Sequence, residues 1–319
     1  MSKQWTIADI PSQAGRRVLI TGANSGIGYP TAVELARKGA TVVLACRDQQ
    51  RGEAAVQRLR AEVVGAQVEL AILDLASLAS VQEVAGRELE RGLPLDVLIN
   101  NAGVMAPAKR QQTRDGFEVQ FGTNVLGHFA LTGLLLPALE RAAAIATSEA
   151  TRPRVVTLAS IAHKRGQIRF DDLQSRQRYS PMDAYQQSKL ADLMFAFEME
   201  RRLEARSSGV MSLAAHPGVA KTNLFKVGSS TGLAAVVEKV IAGVIGALLN
   251  SDADGALPTL YAATAAEAVG GGYYGPQGFQ EMRGGDVGEA EVAKQAQDEA
   301  AAARLWSVCE ELTGVRFLS

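Results

Sequence analysis

The chain has 319 residues, 47% of them hydrophobic and 21% charged, and its formal net charge is −1 at pH 7. Lysine and arginine are spread along the sequence, which argues against a nucleic-acid partner. Two cysteines are too few for a disulfide framework, the three histidines lack metal-ligand spacing, and residues 1–15 lack a secretory apolar core. We therefore expect a cytoplasmic protein with no metal site.

Apolar runs of strand type alternate with helical stretches from Arg16 to Pro217. This alternation predicts an α/β fold, a doubly wound parallel sheet covered by helices on both faces. No linker rich in Pro, Ser or Gly divides the chain, so we expect one domain over residues 1–319, ending in a helix around Glu289 to Leu312. The predicted strands are Val18–Thr21, Thr41–Cys46, Val68–Leu73, Val97–Asn100, Val155–Ala159 and Val210–Ala215.

A glycine-rich turn follows the first predicted strand, and a helical stretch, Thr31 to Lys38, comes next. Three glycines let the backbone turn sharply and approach a bulky anion, and the helix presents free N–H groups to a pyrophosphate. The spacing Gly-x-x-x-Gly-x-Gly differs from the commoner dinucleotide fingerprint. An ordinary strand-to-helix loop is the alternative. The turn reads Thr21-Gly22-Ala23-Asn24-Ser25-Gly26-Ile27-Gly28.

The second predicted strand ends in Cys46-Arg47-Asp48. At this place an acidic residue would bind the ribose 2′-hydroxyl of NAD, whereas an arginine accommodates the 2′-phosphate of NADP. Arg47 therefore favours NADP(H) over NAD(H), because a guanidinium pairs well with a phosphate dianion. Asp48 argues weakly for NAD, but it is better explained as the cap of a helix that begins near Gln49.

Tyr185 is the tyrosine that has a lysine, Lys189, four residues later. Positions i and i+4 share one face of a helix, so the two side chains can reach the same small volume. A nearby ammonium favours the phenolate and makes a tyrosine a better proton donor and acceptor at a carbonyl oxygen. A solvated helix face is the alternative for this spacing alone.

The ordered set of motifs resembles the classical short-chain dehydrogenase/reductase family, and most closely its retinol-dehydrogenase-like branch. The resemblance covers nearly the whole chain. It implies a Rossmann-type sheet with the site at the carboxyl ends of the strands. Beyond the glycine-rich turn, its motifs are Ala45-Cys46-Arg47-Asp48, Asp74-Leu75, Asn100-Asn101-Ala102-Gly103, Phe121 to Phe129 with Asn124, Ala159-Ser160-Ile161-Ala162-His163, Tyr185 with Gln187 to Asp192, and His216-Pro217-Gly218.

The resemblance also implies a role for each matching residue. Tyr185 would be the general acid or base, Lys189 would hold the nicotinamide ribose, Ser160 would hydrogen-bond the carbonyl oxygen, and Asn124 would support a water chain from Lys189. Each has a plainer explanation, such as a strand-end hydroxyl for Ser160, a buried amide for Asn124, or a helix cap for Asp74 before Ser77 to Glu88. The implied cofactor contacts are Gly22, Asn24, Ser25, Gly26, Ile27, Gly28, Arg47, Asp74 and Leu75 (adenine), Asn101, Ala102 and Gly103 (adenosine ribose), Tyr185, Lys189, and Pro217, Gly218, Val219 and Thr222 (carboxamide and phosphates).

The implied function is NADPH-dependent reduction of a carbonyl on a fairly apolar small molecule, or oxidation of the alcohol. The alternatives are a C=C reductase of the protochlorophyllide-reducing type, a nucleotide-sugar epimerase or dehydratase, and a non-catalytic NADP-sensing regulator. A substrate lid is expected at about residues 220–256. Its apolar stretch Gly232 to Asn250 is too short and too charged for a comfortable membrane span, although a membrane-surface helix is an alternative.

Twenty-four residues separate Ser160 from Tyr185, and the charged segment His163 to Pro181 resembles an insertion. Many members of the family use the helix that follows to oligomerise. Charges of this density make a poor dry interface, so we do not expect self-association through this face.

Overall fold

Eight strands form one sheet in the computed structural model, which describes residues 4–218 and 251–319. The strand order is β3-β2-β1-β4-β5-β6-β7-β8. All neighbouring pairs are parallel except β7 and β8, which are antiparallel. The strands are β1 Arg17–Thr21, β2 Thr41–Cys46, β3 Gln67–Ile72, β4 Val97–Asn100, β5 Arg154–Leu158, β6 Met211–Ala215, β7 Tyr273–Pro276 and β8 Val287–Glu289.

Helices cover both faces of this sheet. Successive residues of a strand point to opposite faces, so Leu19 packs into one buried cluster while Val18 and Ile20 pack into the other. The first cluster includes α3, α4, α5 and α7, and the second includes α1, α2 and α6. The helices are α1 Gly28–Arg37, α2 Gln49–Glu62, α3 Leu78–Glu90, α4 Gly127–Ile145, α5 Pro181–Ala205, α6 Asp252–Thr264 and α7 Glu299–Thr313.

The strand order reverses between β1 and β4. From β1 the chain adds β2 and β3 on one side, then returns to place β4 on the other. Ligands of parallel α/β sheets bind in a crevice at the carboxyl ends of the strands, at the place where the strand order reverses in this way. Thr21 ends β1 and Asn100 ends β4, so the glycine-rich turn and the Asn100-Asn101-Ala102-Gly103 segment face each other there.

The sequence predicted the doubly wound α/β sheet and six of its strands to within a residue or two. Asp48 caps α2, as expected, because its carboxylate accepts the backbone N–H of Arg51 at 2.9 Å. The cap proposed for Asp74 was wrong: Ser77 caps α3 by accepting the backbone N–H of Ser80, and Asp74 instead accepts that of Ala76.

The C-terminal part of the chain differs from the prediction. Glu289 lies in β8 instead of starting the last helix, which begins at Glu299 after the Asp298 side chain accepts the N–H of Ala301. Strands β7 and β8 were not predicted, because both are short and rich in glycine. Residues 220–250 of the proposed lid lie outside the described residues. Its last residues, 251–256, include the start of α6. One domain over the whole chain stays a prediction.

An aromatic cluster joins α4, α5 and α7 and supports the helices that carry candidate site residues. Trp306 of α7 is 2% exposed, and its ring centroid lies 5.0 Å from that of Phe129, 5.7 Å from Phe195 and 4.6 Å from Phe317. Edge and offset ring contacts of this kind stabilise beyond their buried area. The cluster therefore fixes α4 against α5.

We expect Trp306→Ala to lower the free energy of unfolding by about 3–5 kcal/mol, the usual cost of deleting a buried aromatic side chain. Chemical denaturation of wild type and variant measures the loss. Val64→Ala is the control, because Val64 is 96% exposed and its truncation should change stability by less than about 0.5 kcal/mol. Equal stability of Trp306→Ala and wild type would contradict a structural role for the cluster.

Candidate active site

The glycine-rich turn adopts a conformation that only small residues tolerate. Gly22 and Gly26 have positive φ angles of 69° and 55°, which L side chains rarely adopt. A Cβ on Gly28 would lie 2.6 Å from the Asn101 Nδ2 atom and 2.9 Å from the Gly22 carbonyl oxygen. The turn is therefore packed directly against the segment after β4, with the N-terminus of α1 at its end.

Thr21 ties the two sides of the crevice together. Its hydroxyl oxygen accepts the backbone N–H groups of Asn101 and Ala102, each at 2.9 Å. Its carbonyl oxygen accepts the Asn101 Nδ2 group at 2.6 Å. Thr21 is fully buried, so no water could take its place as the acceptor for these N–H groups.

His128 of α4 extends this network toward Asn124. Its Nδ1 lies 2.8 Å from the Asn124 carbonyl oxygen, and its Nε2 lies 2.9 Å from the Thr21 hydroxyl. A carbonyl only accepts, so Nδ1 carries the proton and Nε2 accepts from Thr21. Burial lowers the pKa of His128 to about 4, which keeps this ring neutral and its tautomer fixed.

Asn124 lies in a short π-helical turn, Phe121–Leu126, instead of the regular helix that was expected. Its side-chain oxygen accepts the N–H of Val104 at 2.8 Å, and its amide nitrogen donates to the Val104 carbonyl and the Ser188 hydroxyl, each at 3.0 Å. Ser188 in turn donates to the Tyr185 carbonyl at 2.8 Å. Asn124 therefore clamps α5 and the loop after β4, and its two amide hydrogens are already used.

Lys189 reaches from α5 to the end of β5. Its Nζ donates to the Leu158 carbonyl at 2.7 Å and pairs with the Asp192 carboxylate at 2.8 Å. Both side chains are buried, with 7% and 3% exposure. A Cβ on Gly103 would lie 3.5 Å from the Asn124 Oδ1 atom and 3.9 Å from this Nζ, so all three residues meet at one place.

Tyr185 and Ser160 lie near that lysine in the fold. Tyr185 is half-buried on α5, one turn before Lys189, and its charge is one of the influences that raise the pKa of Lys189. Ser160 follows β5, and its hydroxyl accepts the N–H of Ala162 at 3.2 Å, which leaves the hydroxyl hydrogen available to donate. The structure thus gathers Ser160, Tyr185 and Lys189 at the carboxyl end of β5.

The residues of the adenosine side lie at the ends of β2, β3 and β4. Arg47 is exposed, and no ion pair holds its guanidinium within residues 4–218 and 251–319. Asp74 is half-buried, while Leu75 is buried and its carbonyl packs against Gly127. The Gly218 N–H donates to His216 Nδ1 at 3.1 Å, whereas Val219 and Thr222 lie outside the described residues. The tight turn, the N-terminus of α1 and an arginine without an ion pair are groups of the kind that bind the phosphates of a dinucleotide.

Residues 16–231 match the family model described as short chain dehydrogenase. The chain belongs to the short-chain dehydrogenase/reductase family. This confirms the resemblance, and with it a nicotinamide-dependent oxidoreductase acting on an alcohol or carbonyl compound.

Similar proteins place this short-chain dehydrogenase in the expected branch. It is 42% identical to retinol dehydrogenase 13 of Homo sapiens, over 96% of this chain and 87% of that one. It is 43% identical to polyprenol dehydrogenase of Mus musculus, over 96% and 86% of the two chains. A crystal structure of a Mycobacterium paratuberculosis protein is 44% identical over 99% of both chains, with a TM-score of 0.78.

The cytoplasmic location expected from the sequence was wrong, because the relatives are named for retinol and polyprenol, alcohols that dissolve in membranes. Cysteine content reports only a reducing environment, which a membrane-attached protein shares. In the described part of the chain, one helical stretch, Phe121–Ile145, is long and apolar enough to cross a membrane. Its apolar window is 89% buried within the protein, so it serves the core of the fold.

The sequence analysis missed a charged cluster beside the site of this dehydrogenase. The Glu281 carboxylate lies 3.0 Å from Lys164 Nζ and 3.6 Å from His216 Nε2. Burial opposes its ionisation, but His216, the Glu291 amide and Lys164 outweigh burial and lower the pKa of Glu281 to about 2. Glu281 also has a positive φ of 56°. No local sequence signal marks it, because its partners come from distant parts of the chain.

We expect Thr21→Val to destabilise the protein by about 1–3 kcal/mol for each buried donor that it leaves unpaired. Thr21→Ser keeps the hydroxyl and should lower the free energy of unfolding by less. Urea denaturation of the two variants and wild type gives the comparison. Equal losses of stability in Thr21→Val and Thr21→Ser would contradict this expectation, because the hydrogen bonds of Thr21 would then contribute no more than its methyl group.

Proposed function

We propose that this short-chain dehydrogenase uses NADPH to reduce the carbonyl group of an apolar small molecule, or NADP to oxidise the alcohol, with Tyr185 as acid or base. The observation that carries this proposal is the grouping of Tyr185, Lys189 and Ser160 at the carboxyl end of β5. There the lysine ammonium is buried, and Tyr185 is one of the groups whose charge raises the Lys189 pKa.

Tyr185 moves the proton. In reduction its hydroxyl gives a proton to the carbonyl oxygen, and in oxidation the phenolate takes one from the alcohol. The Lys189 ammonium stabilises the negative charge that remains on the phenol oxygen when the proton has left. The cofactor, when bound, supplies or accepts the hydride at the carbonyl carbon.

Ser160 orients the same oxygen. Its hydroxyl accepts a hydrogen bond from Ala162, so its own hydrogen is free to donate to the substrate. A donor fixed at the point where negative charge develops stabilises the transition state without rearranging. The short helical turn Ile161–Arg165, which Ser160 caps, holds it there.

Arg47 supports NADP(H) over NAD(H). Its exposed guanidinium follows β2, where the adenosine ribose of a bound dinucleotide would lie. A solved relative, the NADPH-bound carbonyl reductase from chicken fatty liver, is 25% identical over 82% of this chain and 96% of that one, with a TM-score of 0.59.

The substrate class follows from the relatives and from exposed apolar groups. Retinol and polyprenol dehydrogenases are named for isoprenoid alcohols, and we propose a substrate of this class. Met105, two residues after Gly103, is 39% exposed, and Met182, three residues before Tyr185, is 41% exposed. Flexible thioether side chains of this kind suit a long apolar substrate.

Oxidation of NADPH in the presence of retinal, a short polyprenal, simple ketones and activated alkenes tests this proposal. Turnover with the isoprenoid aldehydes supports it. Turnover with the alkenes alone indicates a C=C reductase, and tight NADPH binding without any turnover indicates a sensor.

We expect Tyr185→Phe to reduce turnover by about 10²–10⁴, because it deletes only the hydroxyl that transfers the proton. The dissociation constant of NADPH, measured by fluorescence, should stay within about twofold. Ser160→Ala should lower turnover less. Near-full activity of Tyr185→Phe would exclude Tyr185 as the acid.

We expect Arg47→Ala to weaken the binding of NADPH by about tenfold to a hundredfold and to leave the binding of NADH nearly unchanged, because only NADPH carries the 2′-phosphate. Dissociation constants of both cofactors measure the effect. Arg87→Ala removes an exposed arginine of α3 and controls for the general loss of charge. A parallel loss for both cofactors would contradict the assignment of Arg47.

A further inference from the structure

We infer that Asp192 is a positioning residue that holds Lys189 in place and keeps its ammonium charged in a buried site. This inference rests on the proposed roles of Tyr185 and Lys189. It adds a residue that acts through the lysine and does not itself touch the substrate.

The contacts of Lys189 leave little freedom to its side chain. An ammonium has three N–H donors. One donates to the Leu158 carbonyl at 2.7 Å and one to the Asp192 carboxylate at 2.8 Å. The third has no acceptor recorded among the described residues. Asp192 thus fixes the direction of the remaining donor as well as the position of the charge.

A buried ammonium needs such a partner. Removing a lysine from water favours its neutral form and lowers its pKa, by up to about 3–5 units for full burial. Burial acts in this direction on Lys189, but the charges of Asp192 and Tyr185 outweigh it and raise its pKa. Burial raises the pKa of Asp192 to about 6 against the pull of Lys189, so near neutral pH the two form an ion pair.

The other titratable groups around the pair do not replace Asp192. His128 of α4 is neutral, because burial lowers its pKa to about 4. Cys309 of α7 stays a thiol, because burial and the charge of Asp192 raise its pKa. Tyr185 is the proposed proton donor, so it cannot serve as a fixed counter-charge. Within residues 4–218 and 251–319, Asp192 supplies the one carboxylate within 4.0 Å of Nζ.

Loss of this carboxylate has a defined consequence. In Asp192→Asn the ammonium stays buried without a counter-charge, so its pKa falls and the neutral amine becomes accessible. Tyr185 then loses the cation that favours its phenolate. A simple structural ion pair would instead affect stability and leave the pH profile of turnover in place.

Titration of Lys189 by NMR in cofactor-free protein tests this inference directly. Protein labelled with [ε-¹³C]lysine is compared as wild type, Asp192→Asn and Asp192→Glu, and Lys189→Met assigns the signal. We expect Lys189 to keep its ammonium shift over the stable pH range in wild type and in Asp192→Glu. In Asp192→Asn it should change to the amine shift within that range. An unchanged titration in Asp192→Asn would overturn the inference.

The matched control is Glu204→Gln, which neutralises an exposed carboxylate on the same helix and should leave the Lys189 titration unchanged. If Asp192→Asn does not fold, wild type alone still decides. Its Lys189 signal should show one small inflection near pH 6, where Asp192 takes up a proton, without reaching the amine shift. Absence of that inflection would also overturn the inference.

The pH profile of turnover is the functional readout. In Asp192→Asn, kcat should fall about tenfold for each pH unit above the lowered lysine pKa, while KM changes little. Asp192→Glu should restore the wild-type profile. The NMR result does not depend on turnover, so it separates failure of this inference from failure of the proposed function.

Discussion

The hydroxyl of Thr21 is the constraint on which the rest of the site depends. The strand order reverses between β1 and β4, and the strand-to-strand hydrogen bonds end where the two loops begin. Thr21 closes this gap by accepting two backbone N–H groups from the loop after β4 and by donating to His128. Through His128 and Asn124 the same network reaches α5, which carries the proposed proton donor. The end of β1 and the helix that carries Tyr185 are therefore joined by one hydrogen-bonded network.

The sequence predicted those features that depend on local pattern. Strands buried on both faces are continuous apolar runs, and glycines with positive φ appear as a fixed spacing, so sheet and turn were both foreseen. Contacts between residues that lie far apart in the sequence were not predicted. His128 lies in an otherwise apolar helix, and its contact with Thr21 joins residues 107 positions apart. Lys189 and Asp192 are three residues apart in the sequence, but only packing shows that both are buried.

The C-terminal segment is where the structure differs most from what the sequence predicted. Strands β7 and β8 extend the sheet by a few residues each, and they bring Glu281 beside Lys164 and His216. His216 immediately precedes Pro217 and Gly218, so this ion cluster anchors the end of β6. A carboxylate that is close to Lys164 and His216 only in the folded chain carries no periodic or motif signal, and strands of three or four residues that contain a glycine resemble loops.

The aromatic cluster around Trp306 has a consequence for the kinetics of folding. Its rings join α4 and α5 to α7 and to Phe317, which lie far apart in the sequence. Contacts between distant positions form at an entropic cost that grows with the length of the chain between them. The position of α5, which carries Tyr185 and Lys189, is therefore coupled to the docking of α7.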